Sequence, residues 1–385
     1  MRYRQRNPEE NTGRTRHIDM VMLIILILLL AFGLIMIFSA STYSAFRDGK
    51  NPNYYFNKQL VSTLVGVPAM LVVSLVDYHF VEKLRNIIYL ASSALILLIL
   101  TPLGLTRNGA RRWLDFKIIS MQPAEVAKIA VILVTVGIIV NMSRQELETI
   151  KGMVKVLTPA AFSAALVLFV TSNMSSAIII FAIAFVILFV ATKNWKLFVG
   201  MGALAAAMAG ITVALVMSDL IPSGLSYRVA RIRAWLKPQA YADGDSYQTL
   251  QALYSIGSGG IMGKGLGQSI QKNILPEAQN DMIFSIICEE LGLFGAIAVI
   301  LLFVALIWRC QIIAVNAPDL TGALIAVGVL GHIAVQVIFN LAVVTNSMPN
   351  TGVTLPFISY GGTSVLFTLM EFGILLNISK EIRLE

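Results

Sequence analysis

Asp19-Met20-Val21-Met22-Leu23-Ile24-Ile25-Leu26-Ile27-Leu28-Leu29-Leu30-Ala31-Phe32-Gly33-Leu34-Ile35-Met36-Ile37-Phe38-Ser39-Ala40 has one charge, at its first residue, and none after it. Crossing about 30 Å of hydrocarbon takes roughly 20 apolar residues, so this run has the length of one membrane span. It is too long for a signal-peptide core, and no small-residue cleavage pattern follows, so a retained first helix is expected. The rest of the chain agrees with it. Of 385 residues 57% are hydrophobic and 13% charged, and the mean hydropathy is +0.78, far from a soluble domain.

Apolar runs predict ten helices, at about 19–41, 58–77, 86–105, 123–142, 153–171, 175–192, 197–217, 283–309, 320–344 and 361–379. Lipid offers no partner to backbone N–H and C=O groups, and the runs are too long for barrel strands, so an all-α polytopic membrane protein is expected. Residues 1–18 read as a cytoplasmic tail and 19–385 as one transmembrane domain with a long extracytoplasmic loop over 218–282. Lys and Arg in the short flanks (Lys83 and Arg85, Arg144 and Lys151, Lys193 and Lys196, Lys380 and Arg383) mark the cytoplasmic side, where ten spans leave both termini. A net charge of +8 distributed beside apolar spans points to membrane lipid, not nucleic acid. Cys288 and Cys310 supply neither a disulfide framework nor clustered metal ligands.

Two outer segments are basic against that bias. Arg107, Arg111, Arg112 and Lys117 lie in 106–122, and Arg228, Arg231, Arg233, Lys237, Lys264 and Lys272 in 218–282. Cations there suit an anionic ligand outside; the competing reading is that long loops translocate regardless of charge. Arg228 and Arg231, three apart, fall on one helix face, where two guanidinium forks suit a diphosphate or, equally, anchor to lipid headgroups. Arg112 precedes Glu125 and Lys128, an i, i+3 pair in the first turns of the fourth span, read as an intrahelical ion pair or as lining for a polar pocket shared with Arg112. Asp281 lies beside the start of the eighth span, where a carboxylate caps a helix or acts as a general base on a substrate hydroxyl; Glu277, four residues upstream, competes for the role. Gly257 to Gly267 is glycine-dense but lacks P-loop spacing. His332, Gln336 and Asn340 form one polar stripe suited to interhelical hydrogen bonds. Glu289, Glu290 and Glu371 are intramembrane acids without an assigned role.

Together these segments resemble the SEDS (shape, elongation, division and sporulation) family of multi-spanning cell-wall proteins. The resemblance runs over nearly the whole chain after the tail. It rests on Gly109-Ala110 with Arg112-Trp113, Gln122-Pro123 with Glu125 and Lys128, Tyr227-Arg228 with Arg231, Gly257 to Gly267, Leu275 to Asp281, Glu289-Glu290-Leu291-Gly292 and Thr351 to Gly362. It departs at Thr171 to Ser176, where members often carry acid-Pro-Asp-Leu-Gly-Thr, and at Gln279-Asn280, commonly His-Thr.

The resemblance implies a peptidoglycan glycosyltransferase that polymerises lipid II outside the bacterial cytoplasmic membrane beside a class B penicillin-binding protein. Asp281 matches the family's essential loop aspartate. Forming a β-1,4 bond from an α-linked sugar diphosphate requires inversion, with Asp281 as base and Arg112, Arg228 and Arg231 meeting the departing diphosphate. Mg²⁺ or Mn²⁺ can share that work, although no metal cage is evident. Two other readings are a flippase for the lipid-linked precursor and a non-catalytic scaffold for a crosslinking partner.

Overall fold

The computed structural model describes residues 18–107, 110–116, 120–218, 227–244 and 246–382. In chain order the helices are α1 (Met20–Arg47), α2 (Tyr54–Val73), α3 (Tyr78–Lys83) and α4 (Arg85–Leu98), followed by strands β1 (Gly104–Arg107), β2 (Ala110–Asp115) and β3 (Ser120–Met121). Then come α5 (Pro123–Val140), α6 (Arg144–Leu147), α7 (Ile150–Val170), α8 (Met174–Ala191), α9 (Trp195–Met217), α10 (Tyr227–Leu236), α11 (Tyr247–Gly259), α12 (Ile283–Asn316), α13 (Leu320–Val344) and α14 (Gly362–Lys380). Among the described residues nine helices are long and apolar enough to cross a membrane, and α4 is a shorter apolar one.

The expected third span, 86–105, is therefore corrected. Its helix stops at Leu98, because Pro102 disfavours helix before it. Turn N–H groups of Ile99, Leu100 and Thr101 take the last helix carbonyls, and Arg111 holds the turn beyond, donating to Thr101 O (2.5 Å) and Gly104 O (2.9 Å). The chain beyond it forms an antiparallel sheet in the order β1-β2-β3, so the segment over 106–122 is largely a built surface. Pro123 opens α5 in the first helical turn, where its missing N–H costs nothing.

The eighth span, 283–309, is corrected as well: α12 runs 34 residues to Asn316 and breaks at Gly292, whose φ of 67° and ψ of −161° leave the helix. Backbone groups freed by such a break must be satisfied inside the protein. The glycine run does this. Lys264 N–H and Gly265 N–H donate to Glu289 O and Glu290 O (2.9 Å each), and Leu293 N–H donates to Gly260 O (3.0 Å). A Cβ on Gly263 would come within 2.3 Å of Glu290 O, and one on Gly292 within 2.4 Å of Gly263 N. Gly259 and Gly263 of the run thus serve close approach of backbone to backbone, a Cβ on Gly259 falling within 1.9 Å of Cys288 O.

The carboxylates of Glu289 and Glu290 finish the junction. Both are fully buried. Glu289 accepts from Lys264 Nζ (2.7 Å), Ser269 Oγ (2.5 Å) and the backbone of Ile270 and Gln271 (3.2 Å each). Glu290 accepts from Ser39 Oγ of α1 at 2.6 Å. These two acids hold the second half of the 218–282 segment against α1 and α12.

Both described ends share one face: Asp19 N–H donates to Ser379 Oγ (3.3 Å), and Arg309 pairs with Asp19 (2.7 Å). Helices α5, α13 and α14 form the interior, with 78%, 72% and 72% of their spans buried, whereas α9 is a rim helix with 6%.

Candidate active site

On the opposite face the turn Leu275 to Met282 carries Asp281. Leu275, Ala278 and Met282 are buried and anchor it inward. Glu277 takes a left-handed φ of 54°, and Asn280 closes the turn by donating its N–H to Glu277 O (2.9 Å) and its side-chain amide to the Glu277 carboxylate. The polar stripe of α13 then fixes the turn from below. Asn340 Nδ2 donates to both Asp281 O (2.7 Å) and Val353 O (2.8 Å), and Gln336 Nε2 donates to Thr354 O (3.0 Å). The extended segment 350–354 is thereby held beside Asp281, and a Cβ on Gly352 would lie 3.8 Å from Asp281 Oδ2.

The Asp281 carboxylate is buried. Gln248 Nε2 donates to its Oδ1 at 3.3 Å and to Pro276 O at 3.2 Å; Asn350 Nδ2 donates to Gln248 Oε1 (2.9 Å), and Arg231 Nη1 donates to Asn350 O (2.7 Å). Burial pushes the Asp281 pKa up to about 6; the neighbouring Glu277 charge adds to the rise, while its own backbone N–H, the Arg231 charge and Gln248 oppose it. The base form is the ionised one. Its population falls as pH drops through about 6, and a reaction that used this carboxylate as its base would show an acidic limb in kcat/KM there. Glu277→Gln removes a charge that raises the pKa and shifts the limb to lower pH. A pH–rate profile in which the limb stays put or moves upward would contradict this.

The other expected site residues divide. Arg231 is half-buried on α10 beside Asp281. Arg228 shares that helix three residues earlier, but its side chain lies outside the described residues. Arg112, on β2, donates Nη2–H to Ser172 O at 3.2 Å, in the segment where the resemblance departs. Glu125 and Lys128 do pair, at 3.0 Å, but the pocket expected between them and Arg112 is not what their contacts form. Lys128 is 2% exposed, donates also to Gln336 Oε1 (3.1 Å) and lies 3.1 Å from His332 Nε2, which itself lies 2.8 Å from Gln336 Oε1. His332 Nδ1–H donates to Glu371 (2.7 Å), and Ser364 Oγ donates to Glu125 (3.0 Å). Both residues are interior supports of α13 and α14. Among the described residues no cluster of three or more metal-ligating side chains occurs.

The FTSW_RODA_SPOVE family model, described as "Cell cycle protein", matches residues 19–384. The chain belongs to the SEDS family. This SEDS protein is 38% identical over 364 residues to "Stage V sporulation protein E" of Bacillus subtilis (strain 168), covering 94% of this chain and 97% of that one. It is 35% identical over 359 residues to "Probable peptidoglycan glycosyltransferase FtsW" of Coxiella burnetii (strain RSA 493 / Nine Mile phase I), covering 92% and 94%. Its fold is similar to a chain of the structure titled "Structural coordination of polymerization and crosslinking by a peptidoglycan synthase complex", with a TM-score of 0.77, 25% identity and coverage of 94% and 98%. It shares the fold of Thermus thermophilus Rod shape determining protein RodA, with a TM-score of 0.67, 24% identity and coverage of 96% and 98%.

In this SEDS protein sequence reasoning missed Gln248 and Asn350, the residues that tie Arg231 to the Asp281 carboxylate. Neither stands in a charged or periodic pattern, so nothing in the sequence marks them. Asn340 had a signal, the polar stripe on α13, and the stripe's hydrogen bonds are the ones expected of it with one addition: they reach the Asp281 turn as well as other helices.

Proposed function

We propose that this SEDS protein is a peptidoglycan glycosyltransferase that polymerises lipid II into β-1,4-linked glycan strands at the outer face of the bacterial cytoplasmic membrane, in division or elongation. The observation that carries the reading is Asp281. It is a buried carboxylate beside Arg231 at the membrane surface, ionised above about pH 6 and therefore a competent base at neutral pH.

In the reaction Asp281 takes the proton from the hydroxyl of one lipid-linked sugar as that oxygen attacks the anomeric carbon of another. The bond to the diphosphate breaks on the opposite face, and its electrons leave with the diphosphate, which gives inversion. Arg231, with Arg112 and Arg228, meets the charge that develops there, and guanidinium forks suit it by geometry and permanent charge. Asp281 and Glu277 would be the residues to hold a Mg²⁺ or Mn²⁺ ion, since magnesium is commonly bound through one or two carboxylates. Such an ion supplies charge neutralisation to the leaving group. Glu125 and Lys128 act beneath the site, as the ionic support of α13. The basic short flanks suit cytoplasmic termini, and the fold's likeness to a polymerising and crosslinking complex suits a class B penicillin-binding protein as partner.

The test supplies labelled lipid II and Mg²⁺ to the detergent-solubilised full chain with its crosslinking partner. Long glycan chains are expected. A flippase needs two membrane sides and produces none in detergent, and a scaffold produces none in any setting, so absence of polymer would overturn the reading.

A further inference from the structure

The stretch Thr351 to Gly362 has work left over after it holds Asp281. Tyr360 N–H donates to Gln279 O (2.9 Å), which brings the start of α14 to the catalytic turn. Helix α14 is 19 residues long, begins at Gly362 and has no side-chain cap. Among the described residues the N–H groups of Gly362, Thr363 and Ser364 find no partner, so three donors and the positive end of the helix dipole stand together.

A second, independent observation sits on α2. Gln59 is 1% exposed, and its Oε1 accepts from Gly361 N–H at 3.1 Å. That bond fixes the orientation of the carboxamide, because only the oxygen can accept it. The Nε2 on the other branch is buried and without a partner. One turn along the same face of α2 the Thr63 hydroxyl, and in the first turn of α14 the Thr363 hydroxyl, are likewise buried without partners. The two helices are close here: a Cβ on Gly362 would stand 2.5 Å from Ser62 Oγ. The neighbouring carboxylate, Glu125, receives Ser364 Oγ at 3.0 Å, and its charge is matched by Lys128 at 3.0 Å. Donors therefore exceed acceptors at this helix end. Leaving a buried donor unpaired is costly, and an anion is the group that satisfies several at once.

We propose that the N-terminus of α14, with Gln59, binds a diphosphate: that of the lipid-linked substrate whose hydroxyl attacks. This rests on the polymerase reading. That reaction brings two lipid-linked diphosphates to one base. The leaving diphosphate must lie at the reacting carbon, beside Asp281 and Arg231. The other is set apart from its attacking hydroxyl by its own sugars and needs a separate cradle. The Tyr360–Gln279 bond gives the α14 N-terminus that relation to Asp281, near but not coincident: by chain reach the two are no more than about 20 Å apart.

Gln59→Glu is the discriminating variant. It keeps the oxygen that accepts from Gly361 N–H and keeps the side-chain shape, but replaces the Nε2 donor by an anionic oxygen. Equilibrium binding of farnesyl diphosphate to the full chain in detergent is expected to show two equivalents. In Gln59→Glu one of them weakens at least about tenfold, the equivalent of about 1.4 kcal/mol, and in Arg231→Gln the other does. Thr363→Val, which leaves the Gly361 contact intact, weakens the same equivalent as Gln59→Glu. Two unchanged equivalents in Gln59→Glu would overturn the proposal. Displacement from the Gln59-dependent site by phosphatidylglycerol at equal concentration would assign it to membrane headgroups, and would overturn it too. Binding needs no turnover, so a wild-type preparation that binds two equivalents yet makes no polymer would sink the polymerase reading and leave the anion site standing.

Discussion

Asp281→Asn is expected to lower lipid II polymerisation by about 10²–10⁴-fold, the usual contribution of a positioned base, while the protein stays folded. Asparagine keeps the size of the side chain, and its amide oxygen still accepts from Gln248 Nε2, which lies 3.3 Å from Oδ1. The backbone bond from Asn340 to Asp281 O is untouched by the change. What is lost is the capacity to take a proton and the negative charge beside Arg231. Asp281→Ala is expected to abolish polymer and, by removing a buried carboxylate that burial disfavours, to cost the fold little. The measurement is glycan chain synthesis by equal amounts of each variant with matched unfolding temperatures. Polymerisation at the wild-type rate by either variant removes Asp281 from the base role, and Glu277 becomes the carboxylate to test next.

Lys128→Met carries the largest expected effect on stability. Lys128 stands between Glu125 and the His332–Gln336 pair, fully enclosed by α5, α13 and α14. Removing the cation leaves Glu125 buried without its counter-ion, and breaking one partner of a buried ion pair typically costs about 3–5 kcal/mol. Replacing both charges, Glu125→Gln with Lys128→Met, removes the uncompensated carboxylate and should recover most of that loss. Reversible unfolding of the two single variants and the double variant in one detergent measures it. Additive losses would show that the pair is not coupled, against the 3.0 Å contact.

The spans were legible because bilayer thickness imposes one length on every crossing, and Leu320 to Val344 falls where its apolar run predicts. The two misread spans fail for a common reason. Hydropathy averages over a window and cannot register a single residue that ends or breaks a helix, as Pro102 and Gly292 do. The role of Gly259 and Gly263 was hidden because glycine permits close approach without specifying what approaches; here it is another backbone. Asp281 was legible as a carboxylate at a helix start. Its companions were not: Gln248, 33 residues away, and Asn350 enter through side-chain amides whose partners only the folded chain selects. Glu125 and Lys128 were paired correctly from their spacing, but spacing along one helix says nothing about the third and fourth members, His332 and Glu371, contributed by two others.

Helix α4 has 14 residues, which at about 1.5 Å each is about 21 Å, against roughly 30 Å of hydrocarbon. Ile87, Leu90 and Leu97 on its exposed side face outward, a surface suited to acyl chains. A helix this short draws the surrounding leaflets together, at a cost of a fraction of a kcal/mol per Å of mismatch. On the edge that leads up to the β1-β2-β3 sheet the protein is therefore expected to thin the lipid around it, and membranes made of longer acyl chains to raise the cost of that mismatch.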